Sequence, residues 1–89
     1  MKPLALIIED DPQLNEIIAL TLQADFEISA CSDGTSGWTR LSEITPRILV
    51  LDLNLPGMPG KEILARLRAD DRFSFSREMS ATRFCRAFQ

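Results

Sequence analysis

Two short apolar runs organise the chain, and each ends in acid. Leu4-Ala5-Leu6-Ile7-Ile8 runs into Glu9-Asp10-Asp11, and Ile48-Leu49-Val50-Leu51 runs into Asp52. Unbroken apolar runs of this length read as strands buried on both faces, as in a parallel sheet. Between them the period changes. Leu14, Ile17, Ile18 and Leu22 recur at helical spacing, so residues 12–24 are predicted to form an amphipathic helix, with Asp11 as its N-cap and Pro12 in its first turn. Phe26 to Cys31 alternates as a short strand does, and Asp33-Gly34 supplies a turn. A second helix follows through Trp38 and Leu41 to about Glu43, and Thr45-Pro46 stops it, because proline cannot continue a helix. The third strand is expected over 47–51, and a third helix from Gly60 through Ile63, Leu64 and Leu67. Strand and helix in strict alternation predict an α/β fold on a parallel sheet with right-handed crossovers.

Side-by-side parallel strands deliver their carboxyl ends, and here their acids, to one edge of the sheet. Ligand sites of open α/β sheets lie at that edge. Carboxylates crowded together repel, so the cluster asks for a hard divalent cation, and oxygen donors of this kind suit Mg²⁺. Asp52 also opens the turn-rich segment Leu53-Asn54-Leu55-Pro56-Gly57-Met58-Pro59-Gly60. Gly57 and Gly60 serve its backbone geometry, and Pro56 and Pro59 stiffen it. Asp11 is open to two readings, a third metal-site acid or the helix cap before Pro12, and capping is the more economical.

Ile8-Glu9-Asp10-Asp11-Pro12, followed downstream by Leu51-Asp52-Leu53-Asn54-Leu55-Pro56-Gly57-Met58-Pro59-Gly60, resembles the receiver domain of bacterial response regulators. The resemblance covers roughly residues 3–70. It implies a flavodoxin-like doubly wound sheet, here incomplete, with three strands in the order 2-1-3. It also implies a role in a two-component phosphorelay: Asp52 accepts a phosphoryl group from a phosphohistidine on a histidine kinase or histidine phosphotransfer protein. In the family's arrangement Mg²⁺ sits between Asp10, Asp52 and the backbone carbonyl of Asn54, with Glu9 acting through water. Such a module is a phosphoacceptor that promotes its own phosphoryl transfer rather than a turnover enzyme. An ordinary strand-end turn residue is the bland alternative for Asp52, outweighed by the acid pair and the Pro-Gly loop together.

Two further family positions fare less well. Thr82 lies near the distance at which the family carries a phosphoryl-contacting hydroxyl, but Arg77-Glu78-Met79-Ser80-Ala81 before it is no buried strand. The lysine that closes the family's site has no candidate, since the only lysines are Lys2 and Lys61. Residues 71–89 therefore separate from the receiver-like portion, 1–70, as a tail that departs from the family as though the domain were truncated. Ala81, Phe84, Cys85 and Phe88 fall on one helical stripe, so the tail is expected to be helical. A third strand left as a bare edge would recruit a partner, which predicts a homodimer or a swapped oligomer.

Charge and composition narrow the field. Ten of the thirteen acids lie before Arg66, whereas six of the ten bases lie from Arg66 onward. A basic tail is more simply a solvated helix face than a nucleic-acid contact, so no nucleic-acid partner is expected through the receiver-like portion. The chain contains no histidine, which excludes a phosphohistidine step within it. Two widely spaced cysteines, Cys31 and Cys85, and an N-terminal apolar run too short for a signal peptide point to a reduced, cytoplasmic setting. No apolar span is long enough to suggest a membrane. A second reading of different class remains: a non-signalling assembly protein built on a disabled receiver.

Overall fold

The computed structural model describes residues 2–53 and 55–69, together with the backbone of a strand at 84–88. In chain order the elements are β1 (Leu4–Ile8), α1 (Pro12–Leu22), β2 (Glu27–Cys31), α2 (Gly34–Glu43), β3 (Ile48–Asp52), α3 (Gly60–Arg68) and β4 (Phe84–Phe88). They form one sheet in the order β2-β1-β3-β4. β1 runs parallel to both neighbours, with Ile8 level with Cys31 on one side and Leu51 on the other. The three parallel strands in the order 2-1-3, with their helices, match the flavodoxin-like expectation.

The tail departs from expectation. Residues 84–88, read as part of a helical stripe, instead pair antiparallel with β3, Asp52 opposite Phe84 and Ile48 opposite Phe88. The reason lies in the neighbour. A buried strand carries a row of backbone donors and acceptors that must be paired, and that demand overrides a weak local helical period. β3 is therefore not the bare edge on which the dimer argument stood. The remaining tail residues, Ala81 among them, lie outside the described residues.

Local chemistry sets the helix ends. The Asp11 carboxylate accepts from the Gln13 and Leu14 N–H groups at 3.0 and 3.3 Å, and Pro12 occupies the first turn. Helix α1 ends at Leu22, two residues earlier than its periodicity implies, in a turn across Gln23 to Asp25. Asp33 caps α2 in the same way, accepting from the Ser36 N–H at 2.7 Å. Glu62 in the first turn of α3 and Arg66 and Arg68 in its last complement the helix dipole.

The main core fills one face of the sheet. Leu6, Ile8, Leu49 and Leu51 meet Leu41 of α2, Ile63 and Leu67 of α3, and Leu55. Alternate strand positions point to opposite faces, so Ala5, Ile7, Ile48 and Val50 serve the other face, and all four are buried as well. The two-sided burial read from the apolar runs is thus realised. Truncating Leu6 or Leu51 to alanine would cost about 2–5 kcal/mol, the usual range for a fully buried leucine.

Candidate functional site

The acids converge where the strands end. Asp52 is the last residue of β3, and Glu9 and Asp10 follow β1 directly. Oxygens of these three carboxylates lie within 4.8 Å of one another. Glu9 and Asp52 are fully buried, while Asp10 is exposed. Both buried acids belong to the strand rows of Ala5-Ile7 and Ile48-Val50, which places them on the face opposite the main core.

Energetics favour a cation here. Two unit charges 4.8 Å apart repel by roughly 3 kcal/mol at an effective dielectric near 20. Three carboxylates at that spacing supply hard oxygen donors and net negative charge, a donor set that fits Mg²⁺. Asp11, the remaining acid of the run, stands outside the cluster. Its side chain is engaged as the α1 cap, so the capping reading holds. Asn54 and Thr82, the other residues singled out in the sequence, lie outside the described residues.

The start of α2 and the loop after β3 pack together beside Asp52. The Gly34 N–H donates to the Pro56 carbonyl at 3.1 Å, clamping the start of α2 to the loop after β3. Gly57 in that loop has φ +74°, a left-handed conformation that glycine adopts without strain. Gly60 starts α3 directly against the Asp52 carbonyl, where a Cβ would collide with the backbone of Asp52 and Leu53. The turn-rich segment thus packs on the backbone of the acid it follows.

Asn15 was not foreseen. Its Nδ2 donates to the Glu9 carbonyl at 3.0 Å and to the Cys31 carbonyl at 3.1 Å, joining α1 to the ends of β1 and β2. The available signal was an asparagine, a poor helix former, in the second turn of an otherwise regular helix. A pocket of about 320 Å³ flanks the acid pair between the start of α1 and the end of β2, with Glu9, Asp10, Asn15 and Cys31 in its wall. Burial pushes the Cys31 thiol pKa above its ordinary value; the Arg40 charge opposes this and Asp33 adds to it.

The comparisons with known proteins agree with this geometry. The sequence model described as "Response regulator receiver domain" matches residues 5–79, nine residues beyond where the motifs alone carried the resemblance. The chain is 39% identical over 67 residues to regulatory protein VanRB of Enterococcus faecalis, covering 74% of this chain and 30% of the relative. It is 37% identical over 71 residues to the DNA-binding response regulator MtrA of Mycolicibacterium smegmatis, covering 79% and 31% respectively. A hybrid signal transduction histidine kinase D of Dictyostelium discoideum is 36% identical over 72 residues, which are 81% of this chain and 5% of that protein. The chain thus spans less than a third of each of these relatives.

Solved structures give the same fold. A signal receiver domain of a putative Luxo repressor protein from Vibrio parahaemolyticus superposes with a TM-score of 0.72 at 24% identity, over 80% of this chain and 55% of that one. The bacteriophytochrome response regulator AtBRR gives 0.69 at 25% identity, over 81% and 60%. Among the described residues no helix is long and apolar enough to cross a membrane. With its parallel 2-1-3 sheet, its acids gathered at the carboxyl edge and a family match across most of its length, the chain belongs to the response-regulator receiver domains of two-component systems.

Proposed function

We propose that this chain is a phosphoacceptor module of a two-component phosphorelay, charged on Asp52 by a phosphohistidine of a histidine kinase or histidine phosphotransfer protein. The observation that carries the reading is the convergence of the Glu9, Asp10 and Asp52 carboxylates at the carboxyl edge of β1 and β3. A carboxylate oxygen of Asp52 attacks phosphorus in line, the histidine N–P bond breaks, and the imidazole leaves to take up a proton from solvent. Phosphoryl transfer depends chiefly on such positioning and on stabilising charge. Glu9, Asp10, Asp52 and the Asn54 backbone carbonyl would hold Mg²⁺, which when bound neutralises charge on the transferring group. Residues 1–70 carry this chemistry in our reading.

The two lysines of the sequence, Lys2 and Lys61, do not stand at the family's lysine position. Lys2, which precedes the opposite end of β1 from Glu9, donates to the Gln23 carbonyl at 2.9 Å, and Lys61 is exposed on α3. A charged hydrogen bond to the phosphoryl group, worth about 1.5–3 kcal/mol, is therefore not supplied by lysine.

Intact mass after incubation with Mg²⁺ and acetyl phosphate tests the reading. Gain of one phosphoryl group, abolished by Asp52→Ala and by chelation, is expected. Folded protein that takes up none would favour the second reading, a non-signalling assembly module. The antiparallel β4 beside β3, where a doubly wound receiver continues in parallel, is the observation on that side.

A further inference from the structure

Asn15 is half-buried on α1, and one carboxamide serves two strand ends. Its Nδ2 reaches the carbonyl oxygens of Glu9 and Cys31 at 3.0 and 3.1 Å. The Cys31 oxygen also accepts from the Glu9 N–H at 3.1 Å. Glu9 lies one residue beyond β1, and Cys31 is the last residue of β2. The backbone therefore leaves the sheet at this point while still tied to β2 and to the second turn of α1. Two of the three clustered acids, Glu9 and Asp10, ride on this tied segment; the third, Asp52, belongs to β3.

From this geometry we propose that Asn15 is a positioning residue for the cation site. It fixes the backbone of the acid pair so that the Glu9 and Asp10 carboxylates meet Asp52 at cation-binding separation. The inference rests on reading the acid cluster as an Mg²⁺ site. Asn15 itself carries no charge, and its donor group is directed at backbone oxygens. Its influence runs through the placement of the ligands, and groups that orient metal ligands typically govern affinity by 10- to 100-fold. Without the carboxamide, the Glu9 and Cys31 carbonyls lose this donor and the tie from α1 to the exit of β1 is gone. The carboxylates then sample wider separations, and convergence must be restored on binding at the expense of affinity.

The test is an Mg²⁺ titration of the whole chain followed by amide NMR, which reports folding and binding together, with urea unfolding alongside. Wild type, Asn15→Leu, Asn15→Asp, Asn15→Gln and Asp10→Asn are compared. Asn15→Leu is expected to fold and to bind Mg²⁺ about tenfold more weakly. Asn15→Asp is the discriminating variant. It adds negative charge near the site, which alone would tighten binding, yet turns a carboxylate toward two carbonyls and is expected to weaken it. Should Asn15→Leu not fold, Asn15→Gln, which keeps the carboxamide on a longer stem, is expected to show a smaller loss in the same direction. A merely structural Asn15 would lower the unfolding midpoint and leave the Mg²⁺ affinity of folded protein within twofold of wild type. That result, or tighter binding by Asn15→Asp, overturns the proposal. Failure of the site reading looks different: wild type and Asp10→Asn would then be equally silent to Mg²⁺, and both claims would fall.

Discussion

Gly60→Ala should damage the protein at the point where fold and chemistry meet. Gly60 opens α3, and a methyl group there would enter the space of the Asp52 carbonyl oxygen, with Leu53 Cα at 2.6 Å and the Asp52 carbonyl carbon at 2.9 Å. Every neighbour is backbone, so relief requires moving Asp52 or displacing the helix. Inserting one methyl group into a packed site costs about 1–3 kcal/mol. Alanine's helix preference over glycine returns at most about 1 kcal/mol, and less at a first helical residue. The net loss should be about 1–2 kcal/mol. With a urea slope of about 1–2 kcal/mol per molar, the unfolding midpoint falls by about 1 M. Gly37→Ala is the internal control. There the added carbon meets side-chain atoms of the fully buried Ile8 rather than backbone, so relief moves Ile8 and not Asp52, and the position lies inside α2. Its packing cost should be of the same order, offset by about 1 kcal/mol of helix preference. A domain of this size has roughly 5–10 kcal/mol of stability, so Gly60→Ala remains folded. Loss of Mg²⁺ affinity or phosphoryl uptake beyond the Gly37→Ala control would then report displacement of Asp52. A neutral or stabilising Gly60→Ala with unchanged Mg²⁺ binding would refute the reasoning.

Asp11→Ala should lower stability by about 1 kcal/mol, the usual cost of an N-cap, yet leave Mg²⁺ affinity unchanged in a calorimetric titration; a large loss of affinity would make Asp11 a ligand after all. Asp33 is held below the ordinary aspartate pKa, first by the Ser36 N–H and then by the Ser36 hydroxyl. A depressed folded-state pKa contributes stability above the unfolded value, and that contribution is lost as pH falls. The difference in melting temperature between wild type and Asp33→Ala should therefore be full at neutral pH and shrink below about pH 3.8; a gap that stays constant on acidification would contradict it. Cys31 should alkylate slowly in the folded chain, because burial raises its thiol pKa and the thiolate is the reactive form. Peptide mapping after iodoacetamide treatment should show its labelling overtaken by that of the urea-unfolded chain, and equal rates would count against the buried setting.

Much of this molecule was legible because its local and global signals agree. The apolar runs at 4–8 and 48–51 could only be strands of a sheet covered on both sides, and the acids that end them had to gather at one edge. Asp11-Pro12 marked a helix start through chemistry confined to four or five residues, whereas Asp33-Gly34, read as a turn, is the cap and first residue of α2. The tail failed for the opposite reason. The stripe through Ala81, Phe84, Cys85 and Phe88 is a local pattern, whereas the pairing of 84–88 with β3 answers a demand made more than thirty residues earlier in the chain. No window of sequence contains both halves of that contact. Asn15 escaped notice on similar grounds, since its two acceptors are backbone atoms of Glu9 and Cys31, and carbonyls leave no mark in a sequence. The Gly34–Pro56 clamp is a third case, a glycine read as a turn that is also a seat for a distant loop.

The central claim is that Asp52 is the residue that carries the phosphoryl group. Borohydride reduces an aspartyl phosphate to homoserine, so trapping after incubation with Mg²⁺ and acetyl phosphate, followed by peptide sequencing by mass, reads the acceptor directly. Homoserine at position 52, absent when Mg²⁺ or the phosphodonor is withheld, is the expected result. Conversion at another aspartate, or none in a protein shown to be folded and phosphodonor-exposed, would contradict the assignment.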